Sequence, residues 1–245
     1  MENSLHQSQT VGVVIPAYNE AENLPSVLNA VCAAGWLKEI VVVDDGSTDS
    51  TSEAARRTAE SDHRLVIIRL PENQGKAAAM LVGVRALHTD LVIFLDADLK
   101  GLTPFHLLQL QNLQKSGAHE MAIAVFHIGK AFTNVSQRFI PHLSGQRCLW
   151  RQEAEEALIP LVTDRYGAET GLTIHARLRH WRIRKIIWHG VTHHMVWQKR
   201  KVIAGLHNRW QMYSQIMTVI ARNRYARRRG IRRLRFVKKD RLTLR

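Results

Sequence analysis

The sequence is poor in cysteine. It has two in 245 residues, Cys32 and Cys148, too far apart for a Cys-x-x-Cys metal site or a disulfide framework. Free cysteines of this kind serve as small buried apolar residues, and a reducing, cytoplasmic compartment is the expectation. No apolar run approaches the ~20 residues that a membrane-spanning helix needs. Residues 1–10 are polar and include Glu2, so they do not read as a secretory signal. Two phosphate-binding glycine patterns are also missing. No Gly-x-Gly-x-x-Gly follows the first apolar run, which argues against a dinucleotide-binding dehydrogenase, and Gly75-Lys76 lacks the spacing of a P-loop. Internal repeats and Gly/Ser linkers are absent, so one domain is expected over residues 9–222.

What the chain does have is basic charge, unevenly placed. Lys and Arg number 35 against 21 Asp and Glu, a formal charge of +14. From Ala221 onward there are 12 basic residues and one acid, Asp240, giving +11 and leaving +3 for the remainder. The whole chain is 45% hydrophobic and 23% charged, a balance that excludes wholesale disorder. Residues 223–245 therefore read as a basic tail on a nearly neutral domain. At an anionic membrane surface each such residue is worth ~1 kcal/mol, which makes peripheral membrane docking an expectation. No nucleic-acid module accompanies the charge, so nucleic acid is not an expected partner. Before the tail, Val202, Leu206, Trp210, Tyr213, Met217 and Ile220 recur at helical spacing. They predict a long helix over 202–222 whose apolar stripe suits the core or a homodimer contact.

The first half alternates short β-branched runs with helical stretches. Residues 11–15, 40–43, 65–68, 91–95 and 121–126 read as strands. Each is a continuous apolar run, the pattern of a strand buried on both faces. The segments between them read as helices: one from an Asn19 cap, with Glu22 completing a capping box, one through 54–59, one opening at Gly75, and one with Pro104 in its first turn. Strand, helix, strand in succession predicts an α/β fold with a mostly parallel sheet flanked by helices. Further on, 153–161 and 168–179 read as helices, and 183–188 and 191–196 as strands.

Ligands of open α/β sheets bind beyond the carboxyl ends of the strands. Four polar clusters fall there: Pro16-Ala17-Tyr18-Asn19-Glu20, Asp44-Asp45-Gly46-Ser47, Pro71 to Lys76, and Asp96-Ala97-Asp98. Each alone is ordinary turn chemistry; four on one sheet edge are a site. Two carboxylates straight after a buried strand repel each other unless a cation lies between them. Mg²⁺ or Mn²⁺ takes such oxygens together with phosphate oxygens. Gly75-Lys76 at a helix start suits an anion, because free N–H groups, the helix dipole and an ammonium converge there. After the fifth strand, Lys130, Thr133 and Arg138 are candidates to hold an anionic acceptor.

Val14 to Glu20, Val43 to Asp49, Asn73 to Lys76 and Phe94 to Asp98, in this order and spacing, resemble the signature segments of family-2 glycosyltransferases, which have the GT-A fold. The resemblance covers about the first 130 residues. It implies a nucleotide-diphosphate sugar of uridine or guanosine type and a divalent metal, Mg²⁺ or Mn²⁺. By position, Pro16, Ala17, Tyr18, Glu20 and Asp45 would contact base and ribose. Gly75 and Lys76 would lie near the nucleotide, Asp98 would ligate the metal, and Asp96 would stand beside the ribose or the metal. Residues 9–130 would then form the nucleotide-sugar and metal half, and 131–222 the acceptor half. Ser144 to Arg147, Tyr166 to Glu169 and Gly190 to His194 resemble, more faintly, glucosyl-3-phosphoglycerate synthases. That similarity implies Glu169 facing the sugar, His194 completing the metal site with His193 close behind, and Gly145 on the acceptor side. The Glu-Asp segment that commonly supplies a base is not present in clear form, and Glu169-Thr170 stands in its place. Asp98 and Glu169 are thus the candidate catalytic residues. The acceptor stays open between a lipid phosphate, a phosphoglycerate and a glycan. A nucleotidyltransferase, or an inactive scaffold acting as a basic binding protein, are the alternatives.

Overall fold

The computed structural model describes residues 9–114, 120–126, 144–162 and 167–193. In chain order the elements are β1 (Val11–Ala17), α1 (Leu24–Cys32), β2 (Glu39–Asp44), α2 (Thr51–Thr58), β3 (Leu65–Arg69), α3 (Lys76–Ala86) and β4 (Leu91–Phe94). There follow β5 (Leu99–Lys100), α4 (Pro104–Leu113), β6 (Glu120–Phe126), β7 (Arg147–Trp150) and α5 (Arg151–Leu158), which runs into a 3₁₀ turn, Ile159–Leu161. The last are α6 (Ala168–Leu178), β8 (Arg182–Trp188) and β9 (Thr192–His193). The expected helix over 202–222 and the tail boundary at 222/223 lie outside the described residues.

Seven of the described strands form one sheet in the order β3-β2-β1-β4-β7-β6-β8. All neighbours are parallel except β7, which runs antiparallel to both β4 and β6. The expected parallel α/β sheet is therefore present, with one reversed strand that the sequence pattern does not announce. β7 is four residues long and begins with an arginine, so no apolar run marks it. A two-stranded ladder, β5 with β9, pairs Leu99 with His193 and Lys100 with Thr192.

Alternation along the strands divides the core in two. Val11, Val13, Ile15 and Ala17 of β1 face one side with Leu24, Val27, Leu28 and Val31 of α1 and Leu107 and Leu110 of α4. Val14 faces the other, with Ala79, Met80 and Val84 of α3, Ala154 and Leu158 of α5, and Leu172 and Ala176 of α6. At the central strands β1, β2 and β4 both faces are dry, which is why those strands are apolar without a polar alternate.

One local expectation is corrected, and a second is described only in part. Asn19 does not cap α1. Its backbone is left-handed, φ 55°, and its side chain accepts the Thr48 N–H at 2.8 Å, while α1 starts only at Leu24. Asn is among the few side-chain-bearing residues that tolerate this conformation, and here it turns the β1 loop toward the β2 loop. Residues 191–196, expected as a strand, contribute only Thr192–His193 among the described positions.

Candidate active site

The loops after β1, β2 and β3 are sewn together by backbone-to-side-chain bonds. Asn19 N–H donates to Ser47 Oγ at 2.9 Å, and Glu20 N–H to Thr51 Oγ1 at 2.9 Å. Glu20 accepts from Asn23 Nδ2 at 2.7 Å, which orients its carboxylate. Asp45 is buried, and its two oxygens accept the N–H groups of Gln74 and Gly75 at 2.8 and 2.9 Å. Gly46 makes this approach feasible. It has φ 69°, and a Cβ there would stand 2.6 Å from Asn73 N and 2.7 Å from Glu72 Cα.

The second half of the site is a charged cluster. Lys76 Nζ, at the start of α3, bridges the carboxylates of Asp96 and Glu169. Burial disfavours the Lys76 ammonium, but the two carboxylates outweigh it and hold its pKa above the usual lysine value. Burial likewise opposes the Asp96 charge, and Lys76 overrides it, keeping that carboxyl below the usual range. The other Asp96 oxygen, Oδ2, accepts from Gln146 Nε2 at 2.6 Å. Asp98 Oδ1 lies 2.9 Å from His193 Nδ1, and His193 Nε2 is 4.0 Å from Asp96 Oδ2. The hydrogen bond to Asp98 raises the His193 pKa despite partial burial. Behind them Arg147 is fully buried. Its Nε donates to Ser144 O at 2.8 Å, and its guanidinium also donates to Thr173 Oγ1 at 2.9 Å. Burial pulls its pKa down to about 10, against the favourable charges of Glu169 and Asp96, so it remains a cation at neutral pH.

Three carboxylates thus meet one ammonium at the cleft, with one guanidinium behind. Excess negative charge at a partly dehydrated site calls for a cation. Ligand atoms of Asp96, Asp98 and His193 all lie within 4.8 Å of one another. Two hard carboxylates and an imidazole fit Mn²⁺ or Mg²⁺ chemistry, with Mn²⁺ the better match to the nitrogen ligand.

An open cleft of about 450 Å³ runs past all of this. Pro16, Ala17, Tyr18, Glu20, Asp45, Gly75, Lys76, Asp96, Asp98 and His193 are among the residues that line it. The structure therefore gathers into one cleft nine of the residues singled out in the sequence. Glu169 joins them through Lys76, and Gly145 packs against Asp96, where a Cβ would stand 2.7 Å from its Cγ. Lys130, Thr133, Arg138 and His194 lie outside the described residues. Among those described, His193 is the histidine beside Asp98. Asn73, the first residue of the Asn73 to Lys76 segment, also lines the cleft; sequence reasoning gave it, Gln146 and Arg147 no role of their own. Gln146 and Arg147 sit at the start of the reversed strand, and their Ser-Gly-Gln-Arg segment was the available signal.

This is an open α/β architecture with a carboxylate–imidazole site at its strand ends. The pattern of glycosyl transferase family 2 matches residues 12–206, and the chain belongs to that family. Among curated proteins, an undecaprenyl-phosphate 4-deoxy-4-formamido-L-arabinose transferase of Salmonella paratyphi A is 42% identical over 95 residues. That match spans 37% of this chain and 29% of the relative, so the chain matches less than a third of that protein's length. The fold is similar to that of glucosyl-3-phosphoglycerate synthase from Mycobacterium tuberculosis, solved with Mn²⁺, uridine diphosphate and phosphoglyceric acid. The TM-score is 0.60 at 23% identity, covering 82% of this chain and 78% of that one. A mannosyltransferase from Pyrobaculum calidifontis, in complex with GDP-Man and Mn²⁺, gives a TM-score of 0.69 at 20% identity, covering 87% of this chain and 64% of that one. The fold is thus of the GT-A type.

Proposed function

We propose that this protein transfers a sugar from a uridine- or guanosine-diphosphate sugar to a polyprenyl-type lipid phosphate, using Mn²⁺ or Mg²⁺. The observation that carries this reading is the meeting of Asp96, Asp98, His193 and Lys76 in one cleft that Tyr18, Glu20 and Asp45 also line. Tyr18 is exposed at the cleft and suits stacking against a base. Glu20 and Asp45 are acceptors, suited to ribose hydroxyls and to the N–H groups of uracil or guanine. Asp98 and His193, with Asp96, would hold the cation, which neutralises the leaving diphosphate. Lys76 and the uncapped first turn of α3 lie beside the place for the same phosphates. The acceptor oxygen forms a bond to the anomeric carbon as the bond from that carbon to the diphosphate oxygen breaks. The electron pair leaves with the diphosphate; the phosphate acceptor oxygen is largely ionised at neutral pH and needs no base, so Glu169 would bind the sugar, and would take a proton only from a hydroxyl acceptor.

The lipid-phosphate acceptor is supported by the name of the Salmonella relative and by the +11 charge after Ala221, which would favour an anionic membrane surface. Among the described residues no helix is long and apolar enough to cross a membrane. We further propose that residues 9–222 act as the transferase domain, in the cytoplasm, with 223–245 as a docking tail.

The test is a panel of UDP- and GDP-sugars with Mn²⁺, each offered a short polyprenyl phosphate, 3-phosphoglycerate or a soluble glycan. Release of nucleoside diphosphate is the readout. Turnover raised by the polyprenyl phosphate alone supports the reading. Turnover raised only by 3-phosphoglycerate or the glycan replaces the acceptor, and no turnover with any donor removes the transferase assignment.

A further inference from the structure

Asp96 is held by more protein than a free metal or ribose ligand needs. Oδ1 receives Lys76, which is shared with Glu169. Oδ2 receives Gln146 Nε2 at 2.6 Å. Gln146 is itself fully buried, and the hydroxyl of Ser144 meets its Oε1 at 2.9 Å. A carboxylate is acceptor-only, so the amide nitrogen must face Asp96, and the amide oxygen then lies toward the Ser144 hydroxyl, which also meets the Ala124 carbonyl. Its neighbour Gly145 lies so close to Asp96 that a Cβ would stand 2.7 Å from Asp96 Cγ. The start of β7, the reversed strand of the seven-stranded sheet, is thus pressed against the carboxylate.

We propose that Gln146 is a positioning residue that fixes the Asp96 carboxylate. It turns Oδ2 toward His193 Nε2, 4.0 Å away, and leaves Oδ1 to Lys76. Without the amide, the carboxylate is free to rotate toward the ammonium with both oxygens. The gap between Asp96 and His193 then loses its shape, and with it the pocket for the cation and its phosphates. A hydrogen bond to a charged group in a buried site is stronger than a neutral one and geometrically specific, so a single amide suffices to set this orientation. Partners of metal ligands commonly act in this way, with losses of ~10–100-fold in metal affinity when they are removed. The inference rests on the reading of Asp96, Asp98 and His193 as the cation site.

The experiment measures Mn²⁺ affinity by electron paramagnetic resonance in the presence of UDP, with the thermal midpoint recorded for every variant. Gln146→Met keeps length and apolar packing and removes the donor. The expected result is a loss of roughly 10–100-fold in Mn²⁺ affinity, with the fold retained at the assay temperature. Cys148→Ala, two residues along the same strand and fully buried, lowers the midpoint and leaves the affinity unchanged. If Gln146→Met does not fold, Ser144→Ala frees the other end of the amide, and a several-fold loss of affinity is expected. Wild-type affinity in a folded Gln146→Met variant overturns the inference, as does an equal loss in Cys148→Ala. A wild-type protein that binds no Mn²⁺ with UDP removes the site reading and the inference together.

Discussion

Replacing Arg64 with alanine tests the frame of the sheet, away from the candidate site. Arg64 sits just before β3, at the end of the sheet opposite the cleft. Its side chain is only 13% exposed. Nε and the guanidinium grip Asp62 at 2.9 and 2.6 Å. The same side chain donates to three main-chain carbonyls: Cys32 at 2.7 Å, Ala34 at 2.9 Å and Leu37 at 3.2 Å. These carbonyls end α1 and lead into β2, so one cation ties together the starts of two strands and the end of a helix. Removing it strands a mostly buried carboxylate and three carbonyls. Breaking a buried pair from one side costs about 3–5 kcal/mol; the residual exposure places the expectation near the lower end, about 3 kcal/mol. For a domain of this size that is a fall of roughly 6–12 °C in thermal midpoint, at about 2–4 °C per kcal/mol. The pH dependence follows from the pair. Arg64 holds the Asp62 carboxyl well below the usual carboxylate range. A depressed folded value means that this stability is present above the unfolded pKa of ~3.9 and is lost as the pH falls through it toward the folded value. The gap between wild type and Arg64→Ala should therefore narrow below about pH 4. Circular dichroism melts across pH read both effects, and UDP affinity at low temperature should not change. A loss under about 1 kcal/mol, the range of an exposed pair, would refute the reasoning.

Two further outcomes are expected. Gly46→Ala should destabilise by about 2–4 kcal/mol, from a left-handed backbone and overlap with the main chain at Glu72 and Asn73, and should weaken UDP binding; a melt at the wild-type midpoint would contradict it. Deleting residues 227–245 should leave UDP and Mn²⁺ binding intact and reduce co-sedimentation with anionic vesicles, an attraction that also fades as salt shortens the Debye length from ~10 Å at 0.1 M to ~3 Å at 1 M. Equal sedimentation of both forms would remove the membrane role of the tail.

The first half of the chain was legible because its two signals are strong and independent. Strands buried on both faces are written as continuous apolar runs, as in Ile40 to Val43, and the polar residues that follow them fall on one edge by topology. What escaped was set by geometry across the chain. β7 carries a buried Arg147 and a half-buried Trp150 in four residues, with no period to count. Asn19 has the chemistry of a cap and is used instead to bend a loop. His193 and His194 cannot be told apart by residue type. It is the pairing of Leu99 with His193 that sets His193 beside Asp98, and two residues of ladder leave no mark in a sequence. Gln146 reads as an ordinary polar residue until the reversed strand brings it to Asp96.

The central claim is that Asp98 and His193, with Asp96, form a cation site serving a nucleoside diphosphate. Calorimetric titration of Mn²⁺ into the protein with and without UDP, for wild type, Asp98→Ala and His193→Ala, tests it most directly. The account predicts that UDP and Mn²⁺ strengthen each other's binding in the wild type, and that each substitution abolishes this coupling while the thermal midpoint without ligand stays close to wild type. Coupled binding that survives unchanged in Asp98→Ala or in His193→Ala would contradict it.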